Sequence, residues 1–520
     1  MTRGFAPALA IAAMLALLGA PSALARKSQT QGAVVPQAVQ APDSSGTAAD
    51  TTTPACTPPT PDVNGVVHTY TWYHCSTPQD IRSWYGIDRL GNYGTGQTIV
   101  LVDSYGSPTA AQDLQKFHDT FFGPDSATPM PNPNFDEVYP NGSPDYQNVG
   151  NGQSGSAGAA NWAGEANLDV EWAYAMAPLA HIVLLAVPPA ETEGVQGFPN
   201  LFKAIKWAID KYPSGTVFSQ SFGVTEETFG GNPQNAVAKF DAVYKAAKDK
   251  GDTVLASSGD DGTSGVSKQH RDANYYDHAT DGWPASSPWV TAVGGTQLQK
   301  GWHWNPQSDT SFTAAGDYNP PYWQYTDGPS SEAVWNESWL PAATGGGPSS
   351  IYARPQWQDS QANVIGGNHR GVPDLAWNAA VNGGVLVWTT FFPQVSRAGW
   401  HVYGGTSAAA PQVAGLIALA NEQQANDNEP SIGYLNPLLY QVGANDPSAF
   451  SDIVPQTYGS VTSGDLKNNQ MFAYNGDGLD STVGPISGWP TQSGWDMTTG
   501  FGTPRAAQFV SALRAARNAP

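Results

Sequence analysis

The chain has 520 residues, room for one large domain with trimmings or for two. Only 13% are charged, against about a quarter in an average domain, and the formal net charge is -21 with a pI of about 4.6. That balance excludes the basic footprint of a nucleic-acid or anionic-membrane binder. Few Lys and Arg also limit positive self-repulsion once the carboxylates titrate, which suits work in acid; compositional drift in an exported protein is the plain alternative.

Residues 1–25 read as a secretory signal, with Arg3 near the start, an apolar core from Ala8 to Ala20 and Ala23-Leu24-Ala25 as the cleavage site. No later run reaches the length of a membrane span, so a secreted, soluble protein is expected. From Arg26 to about Pro61 the chain is rich in Gln, Ala, Thr, Ser and Pro, and reads as extended or disordered. Cys56 and Cys75 are the only cysteines. In an oxidising compartment they predict a disulfide over a short loop, with two separate thiols as the alternative, and they leave no cysteine for a nucleophile or a thiolate metal cage. Residues 26–75 are thus a tail and 76–520 the main domain.

Gln97 to Asp103 reads as a buried strand ending in a carboxylate, followed by a helix near Ala110 to Phe121. A Gly, Ser and Asn-rich loop, Asn148 to Ala160, leads into Gly164–Ala177, an alanine-rich helix closed by Pro178. On it Glu165, Asp169, Trp172 and Met176 share one face. Like charges four apart weaken a helix by a few tenths of a kcal/mol, and burying them costs far more, so this is either a solvated acidic face or a functional pair. Next come a strand His181–Val187, a helix Phe202–Lys211, a strand Thr216–Ser221, a helix Asn235–Lys250 and a strand Val254–Ser258 that runs into the acidic turn Gly259-Asp260-Asp261-Gly262. This alternation predicts an α/β fold: a mostly parallel sheet with helices on both faces, and sites at the carboxyl ends of its strands. Asp103, Asp260 and the loop before Ser407 fall at such ends. Gly301 to Gly347, rich in Trp, Pro, Gly and Tyr, reads as loop.

In Gly404-Gly405-Thr406-Ser407-Ala408-Ala409-Ala410-Pro411 two glycines allow a tight turn, and the apolar run Val413 to Ala420 reads as a buried helix with Ser407 at its start. The alternative is a turn with a helix cap. A serine is a poor nucleophile without a base, and none of the nine histidines is followed by glycine, so a His-Gly-Thr base motif is absent. Gln456 to Thr491 is a Gly, Asp and Asn-rich insertion, and Pro504 to Arg517 closes the chain as a helix.

Together the Glu165 helix, the Asp260 turn and the Ser407 segment resemble the sedolisin family of serine-carboxyl peptidases. The likeness runs from about Ser76 to near the C-terminus and includes, in order, Thr77–Gly86, Ser219–Gly223, Pro284–Thr296 and Val372-Pro373-Asp374. It implies a subtilisin-like fold with Ser407 as nucleophile, Glu165 as general base and later acid, Asp169 orienting Glu165, and Asp260 as a protonated oxyanion-hole carboxyl. It further implies a supporting acid at Asp103 and a substrate-pairing edge at Ser219–Gly223, where Phe222 stands in place of the Trp of many relatives. One structural calcium ion is implied, held by the carboxylates of Asp452 and Asp496 and the carbonyls of Ile453, Gln492 and Gly494, with Gln492 in place of the usual glycine. The expected activity is that of a secreted monomer cutting polypeptides internally in acid. A tripeptidyl-peptidase and a non-catalytic peptide binder are the alternatives. Family members usually carry a long folded propeptide; fewer than a hundred residues precede Gln97 here, which leaves the short tail a reduced part or none.

Overall fold

The computed structural model describes residues 75–519 except 145, 147–155, 193–194, 266–274, 300–301, 305–322, 326–330, 338–341, 382, 392–397, 457–465 and 471–485; before residue 75 it describes Val35–Pro36, Val39–Gln40, Cys56 and Val66–Val67. The signal reading and most of the 456–491 insertion lie outside the described residues. Cys56 and Cys75 are joined as a disulfide.

Two short tail strands come first, β1 (Val35–Pro36) and β2 (Val39–Gln40). Helix α1 (Pro78–Tyr85) opens the domain. Its start is written in the sequence: Thr77 Oγ1 accepts the Asp80 N–H while Asp80 accepts the Thr77 N–H, and Pro78 fills a first-turn position that needs no donor. There follow β3 (Thr98–Ser104), α2 (Ala110–Phe121), β4 (Asn134–Val138), α3 (Ser156–Met176), β5 (His181–Val187), α4 (Phe198–Lys211), β6 (Val217–Gln220), β7 (Phe222–Thr225), α5 (Pro233–Lys250) and β8 (Thr253–Ser257). Then come β9 (Thr291–Gln299), β10 (Ser331–Val334), β11 (Leu375–Asn378), β12 (Gly384–Thr389), β13 (Gly399–Gly404), α6 (Thr406–Asn426), α7 (Leu435–Asn445) and α8 (Ala506–Arg517).

The main sheet runs β10-β9-β8-β6-β3-β5-β4, with β11 also paired to β9; β10 is antiparallel and the other seven strands are parallel. Alternate residues of its strands serve two cores. Ile99, Leu101, Ile182, Leu184, Val217 and Leu255 pack with Trp172 and Met176 of α3 and Leu416 and Ile417 of α6. Val100, Val102, Val183, Leu185, Phe218 and Val254 pack with Phe202 of α4 and Phe240 and Tyr244 of α5. Burial on both faces is why these strands read as continuous apolar runs. Each such side chain contributes about 1.5–3 kcal/mol when removed from water.

Helices α3 and α6 lie side by side under the sheet, and Gly415 is what lets them touch: a Cβ there would fall 2.4 Å from the Met176 Cβ. Two expectations are corrected. Helix α3 begins at Ser156, inside the stretch read as a loop; Ala157, Ala159 and Ala160 are good helix formers and outweigh Gly158. The stretch Gly301 to Gly347 is not simply loop, since Ser331–Val334 adds an antiparallel strand to the main sheet. It sets Val334 opposite Thr296 and Ser331 opposite Gln299, with Ala333 and Val334 buried.

Candidate active site

Helix α3 is buried from Trp162 to Met176, so the solvated-face reading of its acids fails. Glu165 and Asp169 are 0% exposed, and Trp172, two turns on, donates its indole N–H to the Leu386 carbonyl at 2.8 Å. Gly164 precedes Glu165 where a Cβ would meet the Tyr403 hydroxyl at 2.6 Å, so any side chain there would have to displace that tyrosine. Ser407 is likewise fully buried, in the first turn of α6, behind Gly405, whose φ of 97° a side chain rarely adopts. Asp260 sits just past the end of β8, where its Oδ1 accepts from the Thr406 N–H at 2.7 Å and Thr406 Oγ1 at 2.8 Å. Thr406 thus ties the acidic turn to the residue next to Ser407.

The four sequence-predicted residues meet. The Glu165 carboxyl feels Asp169, Asp103 and Asp260 as neighbouring charges and Ser407 as a hydrogen-bond donor. Ser407 Oγ points in this structure to the Ser221 carbonyl at 3.4 Å, and neither Glu165 oxygen has an aligned hydrogen-bond partner among the described residues. Serine and glutamate are thus neighbours that stop short of an aligned bond. Ser221 Oγ donates to Asp169 Oδ1 at 2.8 Å. That donor escaped the sequence reading, although Ser221 stands in the quoted Ser219–Gly223 segment. Phe222, which has no polar atom, leaves it the task.

Asp103, at the end of β3, joins the cluster, and both its oxygens lack a hydrogen-bond partner among the described residues. Burial first, and then the nearby Glu137 of β4, push it from 3.8 to about 8. Glu137 itself is pushed up to about 7 by burial, against the Ser107 N–H at 3.1 Å. Glu137 was not anticipated; its signal is a carboxylate near the carboxyl end of a parallel strand, the same signal that marks Asp103. Burial, followed by neighbouring carboxylates, holds Glu165 and Asp169 well above their ordinary values. No cation figures among the groups that set Asp103 or Asp169. Such a cluster stores protons and ionises stepwise, since each charge formed opposes the next.

Of the residues expected to hold calcium, Asp452, Gln492, Gly494 and Asp496 meet at one loop. Asp452 Oδ2 accepts the Gly494 N–H at 2.9 Å, and Asp496 Oδ2 accepts the Gln492 N–H at 3.0 Å, so both aspartates grip one three-residue loop, shaped by Gly494 at φ 81°. Asp496 Oδ1 accepts four further contacts, from the N–H and Oγ1 of Thr498 and of Thr499. Among the described residues no three His, Cys, Asp or Glu side chains form a metal cage. Two carboxylates supplemented by backbone carbonyls are still a hard-cation donor set, and the placement is compatible with one.

Residues 94–437 match the model of the subtilase family. Kumamolisin of a Bacillus species is 32% identical over 356 residues, covering 67% of this chain and 50% of that protein, and sedolisin of a Pseudomonas species is 30% identical over 54% of this chain and 38% of that one. The chain belongs to the subtilase family, in its sedolisin group. Tripeptidyl-peptidase 1 of Dictyostelium discoideum is 28% identical over 66% of this chain and 46% of its own length. The chain spans about half the length of the curated relatives it matches. The solved structure of Pseudomonas sedolisin, a serine-carboxyl proteinase complexed with two molecules of pseudo-iodotyrostatin, shares the fold, with a TM-score of 0.58 at 23% identity over 85% of this chain and 98% of that one. The α/β, subtilisin-like architecture expected from the sequence is therefore the one observed.

Proposed function

We propose that the chain is a secreted, monomeric serine-carboxyl endopeptidase that hydrolyses polypeptides in acid. The observation that carries this reading is the meeting of Ser407 with Glu165, Asp169 and Asp260 in one buried cluster. Glu165 takes the Ser407 proton as Oγ attacks the peptide carbonyl and an ester forms. It returns that proton to the leaving amine, and water hydrolyses the ester by the same steps in reverse roles. Asp169, with one oxygen held by Ser221, takes up part of the charge change on Glu165. Asp260, gripped by Thr406, donates a proton toward the developing oxyanion, as an amide does in other oxyanion holes.

These roles need Glu165 ionised while Asp260 keeps its proton, so the rate has an acid limb and an alkaline limb. An ordinary glutamate ionises near 4.3, but burial and Asp169 move Glu165 upward, and the acid limb moves with it. Endopeptidase action is favoured over the tripeptidyl reading because tail strands pair with segments on both sides of Ser407 while the chain continues beyond Val35. Secretion rests on residues 1–25; among the described residues no helix is long and apolar enough to cross a membrane. One calcium ion would be held by the carboxylates of Asp452 and Asp496 with the carbonyls of Ile453, Gln492 and Gly494, fastening the loop before α8 to the end of α7's connection.

The test is digestion of a denatured protein at a series of values from about pH 3 to about pH 7 by the wild type and by Ser407→Ala, with the cuts mapped by mass spectrometry. Internal cuts by the wild type alone are expected. Equal fragments from both would end the enzyme reading, and release of tripeptides only would favour the exopeptidase.

A further inference from the structure

Helix α3 carries a second pair of buried polar side chains one turn apart, Asn167 and Glu171, on the side away from Glu165 and Asp169. Both grip one residue of β12. Asn167 Nδ2 donates to the Trp388 carbonyl at 3.3 Å, and Glu171 Oε2 accepts the Trp388 N–H at 2.9 Å. The neighbouring Trp172 donates to the Leu386 carbonyl, and Asp113 of α2 accepts the N–H and hydroxyl of Thr390 at 3.2 and 2.7 Å. Cys75 and Ser76 pair with Gly384 and Val385 at the start of this edge of β12, and side chains take over where they stop. On its other edge β12 pairs with β13, from Val385 opposite Tyr403 to Thr389 opposite Gly399, and β13 leads through Gly405 and Thr406 to Ser407. The clasp at Trp388 therefore sets the strand that leads to the nucleophile against the helix that carries its base.

Asn167 gives its two amide protons to the Trp388 carbonyl and to Asp113 Oδ2, the latter at 2.8 Å, which fixes how the amide is turned. That leaves Asn167 Oδ1 and Glu171 Oε1 buried without a hydrogen-bond partner among the described residues. Two acceptors cannot satisfy each other. One proton on Oε1 answers both, because it makes that oxygen a donor toward the amide oxygen one turn back, a spacing at which helix side chains meet. We propose that Glu171 is a positioning residue for Ser407 that works only while protonated: its hydroxyl holds Asn167, its other oxygen holds Trp388, and losing the proton loosens β12 and β13 from α3. The effect on the reaction rests on the peptidase reading above; the protonated clasp does not.

The surroundings favour the neutral acid. Burial first, and the like charge of Asp113, hold Glu171 well above the ordinary range against the pull of the Trp388 N–H. The other ionisable groups on neighbouring elements are engaged elsewhere. On α2, Lys116 lies over the Trp388 ring, His118 bonds the Tyr174 hydroxyl and Asp119 bonds Gln115. Arg82 of α1 is held by the Ala175 and Met176 carbonyls, Glu422 of α6 by the Tyr93 and Gly94 N–H groups, and His181 of β5 by Asp136. Asp103 of β3 belongs to the Glu165 cluster, and His401 of β13 stands opposite Val387, on the face of the strand pair turned away from Trp388 and Trp400. An unfolded glutamate ionises near about 4.3, so the clasp is fully stabilising below that pH and is lost as pH rises through the higher value of the folded chain.

Glu171→Gln tests this, because glutamine copies the protonated acid: its oxygen accepts the Trp388 N–H, its amide donates to Asn167, and nothing titrates. In the Ser407→Ala background, which removes self-digestion, urea unfolding from about pH 4 to about pH 8 should give the same midpoint with and without Glu171→Gln at the acid end and a higher one for Glu171→Gln at the alkaline end. At about pH 6 the infrared difference between the same two proteins should show the C=O stretch of a protonated carboxyl in the one that keeps Glu171. Curves that run parallel across the range, or no such band, overturn the inference. With Ser407 in place, Glu171→Gln should keep kcat/KM at about pH 4 within about twofold, whereas Glu171→Leu, which leaves the Trp388 N–H without an acceptor, should lower kcat about 100-fold with KM within about threefold. A Glu171→Leu enzyme with unchanged kcat overturns the positioning role. If no variant with Ser407 cuts protein while the unfolding curves still diverge, the peptidase reading fails and the protonated clasp stands.

Discussion

Two sets of buried carboxylates in this protein are built in opposite ways. Asp374 accepts from Arg370 at 2.6 Å, the Ala292 N–H at 2.8 Å and the Tyr440 hydroxyl at 2.9 Å, and Asp496 accepts from two threonines and the Gln492 N–H. These groups join β11 and the C-terminal segment to the body of the domain. Around Ser407, by contrast, Asp103 and Glu165 have no aligned partner among the described residues, and Asp169 has one. A carboxylate that holds structure together is saturated with donors, because an unsatisfied buried group costs about 1–3 kcal/mol or more. One that must exchange a proton is kept short of donors, so that both its forms are accessible.

The sharpest way to break that contrast is at the proposed catalytic pair, Glu165 and Asp169. Glu165→Gln keeps the shape of the side chain but removes the base, and kcat/KM on a denatured protein substrate should fall by about 10^4-fold or more, with the fold unchanged by circular dichroism. Activity within tenfold of wild type would take Glu165 out of the mechanism.

Next in size is the dependence of stability on pH. Asp103 binds its proton more tightly in the folded chain, up to about 8, than in the unfolded chain, where 3.8 applies. Between those values the folded state holds a proton that the unfolded state has released, so the stabilisation is complete below about pH 4 and is lost as pH rises towards 8. Glu137, pushed to about 7, acts in the same direction. Urea unfolding at pH 4, 6 and 8 should show stability falling with pH, and Asp103→Asn should remove on the order of 5 kcal/mol of that decline. A wild type more stable at pH 8 than at pH 4 would contradict the contrast outright.

Arg370→Met probes the saturated set. It leaves Asp374 buried without its cation and should cost about 3–5 kcal/mol by urea unfolding, while the pH at which the enzyme is most active stays where it was. A shifted optimum would mean that the two sets are coupled. The smallest effect expected is that of calcium: chelation with EDTA should destabilise the protein by on the order of 3 kcal/mol, read as a lower melting temperature that added calcium restores, and Asp496→Asn should abolish the difference. Identical melting curves with and without EDTA would remove the ion from the account.

Much of this was legible in the chain itself. The continuous apolar runs of the buried strands, the glycines before Ser407 and the four-residue spacing of Glu165 and Asp169 are local facts, because backbone sterics and side-chain periodicity act over a few residues. The alternation of strand and helix segments marked the parallel α/β fold, while Glu165, Asp169, Asp260 and Ser407 stood out as a set through their resemblance to the sedolisin family. What they left open was environment. Whether the acids of α3 face water or protein depends on α6 and the sheet closing over them, with Gly415 permitting the approach. That Asp103 rises to about 8 depends on Glu137, a strand neighbour two places away in the sheet and more than thirty residues away in sequence. The tail likewise reads as featureless, since its backbone finds partners only where the chain has folded to present two open edges beside Ser407. Periodicity and capping are written residue by residue, whereas desolvation, charge coupling and edge pairing exist only between parts of the molecule that folding brings together.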